Sequence, residues 1–160
     1  MELPKRKPNR LKEYDYSDTG VYFITICTKD RKRLLSEIKV GFGIYDKPQV
    51  CLSEYGIITE KYLKKISNEH VDISVDHYVI MPDHIHMLVS VHKKLGAPQV
   101  PHPTNETIPK FVSLFKRYCN REVGWNMWQK SYFDHIIRNE RDYYEYYAYI
   151  ENNPIKWMFD

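Results

Sequence analysis

Met81-Pro82-Asp83-His84-Ile85-His86-Met87-Leu88-Val89-Ser90-Val91 is the stretch on which the reading of this chain turns. Side chains along a β-strand alternate between faces, so His84 and His86 share one face while Ile85, Met87, Val89 and Val91 share the other. The apolar set reads as core. Two imidazoles one residue apart supply half of a metal site, or else two hydrogen-bonded surface histidines; the local pattern accommodates both. Upstream, Val71, Ile73 and Val75 alternate and lead into Tyr78-Val79-Ile80, with Pro82-Asp83 as a turn. Two adjacent, paired strands are therefore predicted around the histidines.

A second strand signal lies in Val21-Tyr22-Phe23-Ile24-Thr25-Ile26-Cys27-Thr28, rich in β-branched and aromatic residues, and a short third one around Gln49 to Leu52. Ser53 can cap a helix whose apolar positions Tyr55, Ile58, Tyr62 and Ile66 keep helical spacing. A second helix is predicted from Thr107 to Arg121 on Phe111, Leu114, Phe115, Tyr118 and Cys119, with Gly124 just past its end, and Tyr118 is read as packing. Ser131 to Arg138 reads as extended or irregular. Asn139, with Asp142 three residues on, opens a last helix that the rule against helical geometry before proline ends near Asn153. Its core face is predicted to carry Tyr143, Tyr147 and Ile150. The intermixed elements predict an α+β single-domain sandwich, one antiparallel sheet flanked by helices.

The 160 residues suffice for one domain, 1–160, with a real core, and 42% hydrophobic content argues for an ordered one. Through residue 40 there are ten Lys or Arg against six Asp or Glu, a balance of +4, while the whole chain carries +3. The positive excess is N-terminal. Lys5, Arg6, Lys7, Arg10 and Lys12 form one basic cluster within 1–20 and Lys29, Arg31, Lys32 and Arg33 another, and such clusters suit a polyphosphate backbone or a solvated tail. Residues 92–105 hold Gly96, Pro98, Pro101 and Pro103 without periodicity and are expected to form a flexible loop. Cys27, Cys51 and Cys119 are odd in number and widely spaced, which excludes a disulfide framework or zinc knuckle and predicts buried thiols. No run approaches the roughly 18 apolar residues of a membrane span, and Met1-Glu2-Leu3-Pro4-Lys5-Arg6 leads into no apolar stretch. A cytoplasmic protein with no membrane partner is expected.

Fourteen tyrosines leave the choice of a reactive one to position. At 100° per residue, Tyr149 clusters with Asn153 and Asp142 on a polar flank of the last helix, and a phenol and an amide at i and i+4 are neighbours. If that flank meets His84 and His86, the site has two imidazole nitrogens, an amide oxygen and a phenol. A divalent cation there could hold a phosphodiester for attack. Otherwise the flank is simply solvated, with an incidental tyrosine.

Several segments together resemble a known family. They are Arg6-Lys7-Pro8-Asn9-Arg10, Tyr22-Phe23-Ile24-Thr25-Ile26-Cys27-Thr28, Tyr78 to His86, Trp128-Gln129 with Tyr132, Asp134, His135, Ile137 and Arg138, and Tyr149-Ile150-Glu151-Asn152-Asn153-Pro154. In this order and spacing they resemble the HUH single-tyrosine transposases, in particular the REP-associated tyrosine transposases. The resemblance implies a ferredoxin-like palm and an enzyme that nicks and rejoins single-stranded DNA near hairpins with one Mg²⁺ or Mn²⁺ ion. By the same resemblance His84 and His86 bind the metal, Tyr149 is the nucleophile that forms a 5′-phosphotyrosine, and Asn153 completes the coordination. Mobile relatives usually carry Gln at that last position, and the shorter Asn follows the REP-associated branch.

Arg138 and His135 are candidate phosphate or orienting contacts or else structural hydrogen-bonding residues, Trp128 and Tyr132 candidate stacking surfaces for unpaired bases or else buried aromatic anchors, and Lys5, Arg6, Lys7 and Arg10 a candidate grip on the hairpin or its flanking bases. Mobile relatives are dimers, so a homodimer is among the assemblies the resemblance allows. Two other readings remain: a DNA-binding module that keeps the fold without turnover, and a phosphodiesterase that activates water at the histidine pair.

Overall fold

Strand pairing in the computed structural model, which describes residues 20–41, 43, 46–92 and 107–160, centres on the histidine strand. The elements run β1 (Gly20–Cys27), a 3₁₀ turn (Lys29–Arg31), β2 (Ser36–Lys39), β3 (Gln49–Leu52), α1 (Glu54–Glu69), β4 (Ile73–Ile80), β5 (His84–Val91), α2 (Thr107–Val123), β6 (Phe133–Ile136) and α3 (Glu140–Phe159). A four-stranded antiparallel sheet has the order β4-β5-β1-β6, and β2 and β3 form a separate two-stranded ribbon. The α+β sandwich predicted from the sequence is the fold observed. Lys5, Arg6, Lys7 and Arg10, segment 1–19 and most of the predicted loop, from residue 93, lie outside the described residues.

The sheet has two unequal sides. Ile85, Met87, Val89 and Val91 join Tyr22, Ile24 and Ile26 in the main core, covered by Leu63 and Ile66 of α1 and by Ile108, Phe111, Val112, Phe115 and Cys119 of α2. On the other side Phe23, Leu88 and Ile150 form a smaller cluster beneath α3, with Val21, Val79, Tyr143 and Tyr146 packed around it. β5 is consequently buried on both faces along its whole length, and the histidine face is roofed by a helix.

Several local expectations are corrected. The buried edge of α1 is Gly56, Thr59, Leu63 and Ile66, while Tyr55 and Tyr62 are only half-buried. Gly56 sets that rotation: a Cβ there would lie 2.0 Å from the Leu35 carbonyl oxygen, so the helix can press against the 34–35 backbone only without one. Ser53 caps α1 as predicted, accepting from Gly56 N–H at 3.1 Å. Val71 is exposed outside β4, and β2 carried too short an alternation to be foreseen. Cys27 and Cys51 are half-buried; only Cys119 is a buried thiol, which burial pushes up to about 12.

Proline does not end α3. Pro154 sits inside the helix, which continues to Phe159. The last turn has tertiary support, since the Trp157 ring lies 6.2 Å from His84 and the Arg33 guanidinium 5.0 Å above that indole. Tyr147 is also misassigned: it lies outside the core, 39% exposed, and stacks on His77 at 4.0 Å, while Tyr146 takes the core-facing place.

Candidate active site

The turn before β5 is stapled by backbone bonds from two directions. Met81 N–H donates to His84 O (2.8 Å), Leu35 N–H to Pro82 O (3.0 Å), and Thr28 gives both its N–H (3.0 Å) and its hydroxyl (3.1 Å) to Asp83 O. Asp83 itself is buried. Its Oδ1 accepts from His84 Nδ1 at 2.6 Å, and its Oδ2 pairs with Arg31 Nε at 3.2 Å. A carboxylate only accepts, so the His84 proton belongs on Nδ1 and the Nε2 lone pair is aimed at α3. There it meets Asn153 Oδ1 at 3.4 Å.

With its oxygen turned toward His84, the Asn153 amide and the Nε2 lone pair are both donors to a cation, in a buried place between two elements. The donor chemistry therefore fits a divalent ion. His86, on the same face, has its ring centroid 4.5 Å from that of His84. Its Nδ1 is 2.7 Å from Thr25 Oγ1, the residue opposite it in the β1–β5 ladder. In the tautomer that donates to Thr25, Nε2 remains a free acceptor, as in the oriented histidines of metal sites.

Burial dominates the protonation of the pair. It lowers His84, partly opposed by Asp83, and brings His86 down to about 3, assisted by repulsion from His84, Arg31 and Lys156. Both rings are neutral near pH 7, the form that ligates metal. Among the described residues no group of three or more His, Cys, Asp or Glu could hold a metal, so here the buried Asn153 amide is what can supply the third protein ligand.

α3 brings the phenol. Tyr149 is 39% exposed and its ring lies 5.2 Å from His86, inclined at 62°. Phe23 is the shared pillar, 5.3 Å from His86, 4.5 Å from Tyr146 and 5.9 Å from Tyr149. Lys156, two turns after Tyr149, places its ammonium 5.3 Å from the phenol ring. His84, His86, Tyr149 and Asn153 thus converge within one chain.

Among the described residues, the remaining sequence candidates do not join them. His135 pairs with Asp142 Oδ2 at 2.9 Å and stacks on Tyr146 at 4.6 Å. Arg138 is exposed, and its backbone N–H donates to the same Asp142 oxygen at 3.0 Å. The two hold the N-terminus of α3 to β6. For Trp128 the stacking surface is corrected in favour of the buried anchor: it is 1% exposed, packed in the main core against Phe115 at 5.4 Å, and offers no face to a base. Tyr132 is half-buried against the same core. Thr25, Asp83, Phe23 and Trp157 were given no role at the site by the sequence, and Arg31 was read only as part of a basic cluster, not as the partner of Asp83; Thr25 and Phe23 become visible only when β1 is registered against β5.

The family model described as "Transposase IS200 like" matches residues 17–153. An uncharacterized protein of Haemophilus influenzae is 34% identical over 172 residues, covering 97% of this chain and 91% of its own length. The REP-associated tyrosine transposase of Escherichia coli is 21% identical over 141 residues, covering 88% of this chain and 70% of that one. Among solved structures, a REP-associated tyrosine transposase bound to a REP hairpin superposes with a TM-score of 0.62 at 19% identity, covering 86% of this chain and 67% of the other, which establishes a shared fold. With the family match running through both histidines, Tyr149 and Asn153, the chain belongs to the IS200-like transposases, with REP-associated tyrosine transposases among its relatives.

Proposed function

We propose that this transposase-family chain cuts and rejoins single-stranded DNA at hairpin-bearing sequences, with Tyr149 as nucleophile and a divalent ion, Mg²⁺ or Mn²⁺, held by His84, His86 and Asn153. The observation that carries the reading is the approach of the Tyr149 ring to 5.2 Å from His86, beside the His84 Nε2 to Asn153 Oδ1 pair. Bound there, the ion would polarise a phosphodiester oxygen and offset charge that develops at phosphorus. Asp83 and Thr25 fix the imidazole orientations. Phe23 packs edge-on against the phenol ring, and the Lys156 ammonium lies 5.3 Å from it.

The Tyr149 oxygen forms a bond to phosphorus, the bond from phosphorus to the 3′ oxygen breaks, and the phenolic proton ends on the departing 3′-hydroxyl. The product is a 5′-phosphotyrosine. Attack by a 3′-hydroxyl on that linkage runs the exchange backward and joins strands, so no nucleotide triphosphate is consumed. The hairpin as DNA partner is taken from the solved relative, which is bound to a REP hairpin.

The test is a 5′-labelled and a 3′-labelled hairpin oligonucleotide incubated with Mn²⁺ and resolved under denaturing conditions. A protein-linked 3′-labelled fragment that disappears in Tyr149→Phe is the expected result. Binding without adduct would leave a DNA-binding module, and cleavage that survives Tyr149→Phe but not His86→Ala would point to a water-using phosphodiesterase.

A further inference from the structure

We infer that a basic track running from Arg31 to the exposed face of α2 holds the single-stranded DNA beside the cut; this rests on the DNA-cutting function proposed above. Two concavities form it. One, about 760 Å³, lies between the Arg117 and Arg121 stripe of α2 and Trp125. The other, about 240 Å³, lies between the Lys29–Arg31 turn and Gln129-Lys130. They share a wall: Asn120 of the first donates to Asn126 Oδ1 of the second at 3.1 Å, and Lys116 Nζ of the first donates to the Gln129 carbonyl at 2.7 Å.

Charge and connection both point to a polyanion. The larger concavity is lined by Lys116, Arg117 and Arg121 with no carboxylate, and the smaller by Lys29, Arg31 and Lys130 against Asp30 alone. The smaller one adjoins the active site through Arg31, whose Nε is 3.2 Å from the Asp83 carboxylate that orients His84. Arg31 is held in an unusual backbone state: Asp30 and Arg31 both have left-handed φ, at 56° and 54°, although neither is glycine. Such conformations are sparsely populated and persist where surrounding contacts demand them.

Trp125 decides between single strand and duplex. Its indole is 39% exposed at the edge of the larger concavity and is steadied edge-on by Tyr55 at 5.9 Å. Paired bases inside a duplex have no free face to stack on, whereas every unpaired base does. An exposed indole among arginines is therefore suited to a strand whose bases are splayed, with the guanidinium groups along its phosphates.

The experiment compares a fluorescein-labelled blunt hairpin with the same hairpin carrying a single-stranded tail of about ten nucleotides at each end. Polarisation is read in EDTA, where no cleavage occurs, so loss of the nucleophile or metal leaves the measurement untouched and the two proposals fail independently. The tail is expected to add affinity to the wild type. Trp125→Ala should remove roughly ten- to a hundredfold of binding to the tailed hairpin. Arg117→Ala with Arg121→Ala should reduce the salt slope of log K by about 1.4, at roughly 0.7 per single-strand phosphate contact. These side chains are exposed, and unchanged melting curves verify that the variants fold. Equal losses on blunt and tailed hairpins would overturn the inference in favour of a duplex surface, and unchanged binding to both would overturn it altogether.

Discussion

His86 illustrates how a single side chain acquires its chemistry from neighbours distant in sequence. A period of two puts it beside His84, but what makes it a prepared ligand is Thr25, 61 residues away, at 2.7 Å from its Nδ1. Removing that hydroxyl while keeping the shape isolates the effect. Thr25→Val should weaken Mn²⁺ binding by about 10- to 100-fold, as loss of an orienting partner does in other metal sites, with little change in melting temperature. Isothermal titration of metal into both proteins checks it; unchanged affinity would mean that the hydroxyl does not orient the ring. The residue pattern was legible where it was local. The histidine pair, Tyr149 and Asn153 are written into short segments, whereas Thr25, Phe23 and Asp83 gain roles only from strand register and turn geometry.

Among the elements, α3 shows where sequence rules stop. Its N-terminus was readable: Asn139 caps it, accepting from Asp142 N–H at 2.8 Å. Its C-terminus was not, because Trp157 packing beside His84 and under Arg33 sustains a turn that the proline rule would end. Asp142 fastens this helix to β6. Burial works against its charge, yet the bonds from His135 and the Arg138 N–H prevail and hold its carboxyl below the ordinary value. A depressed folded value means that the stabilisation is complete above the unfolded carboxyl value near 3.9 and is lost as pH falls through the folded one. Asp142→Asn should therefore cost about 1 kcal/mol at pH 7, from the helix dipole and the lost charge-assisted bond, and the difference from wild type should shrink in melts as pH falls below the unfolded carboxyl value of about 3.9. A constant difference across pH would deny the carboxylate this role.

In the whole molecule the two sides of the sheet divide the work. α1 and α2 cover the large core, and α3 lies over a small cluster and delivers a phenol and an amide to the histidines. The fold class could be read from the mixture of strand and helix patterns, but the strand order β4-β5-β1-β6 could not, since it depends on pairings between segments far apart in the chain. A ligand that binds the folded state alone stabilises it, by about 2.7 kcal/mol at a hundred times its Kd. For a chain of this size each kcal/mol raises Tm by roughly 2–4 °C. Saturating Mn²⁺ should therefore raise the wild-type Tm by about 5–10 °C, EDTA should reverse the rise, and His84→Ala and His86→Ala should show none.

The central claim is that one of fourteen tyrosines, on α3, becomes covalently joined to DNA. Mass spectrometry of the trapped adduct, after nuclease trimming and proteolysis, reads the linkage at residue resolution. The account predicts a nucleotide-bearing phosphate on Tyr149; the same mass on Tyr146, Tyr147 or any other tyrosine, or cleavage with no modified tyrosine, would contradict it.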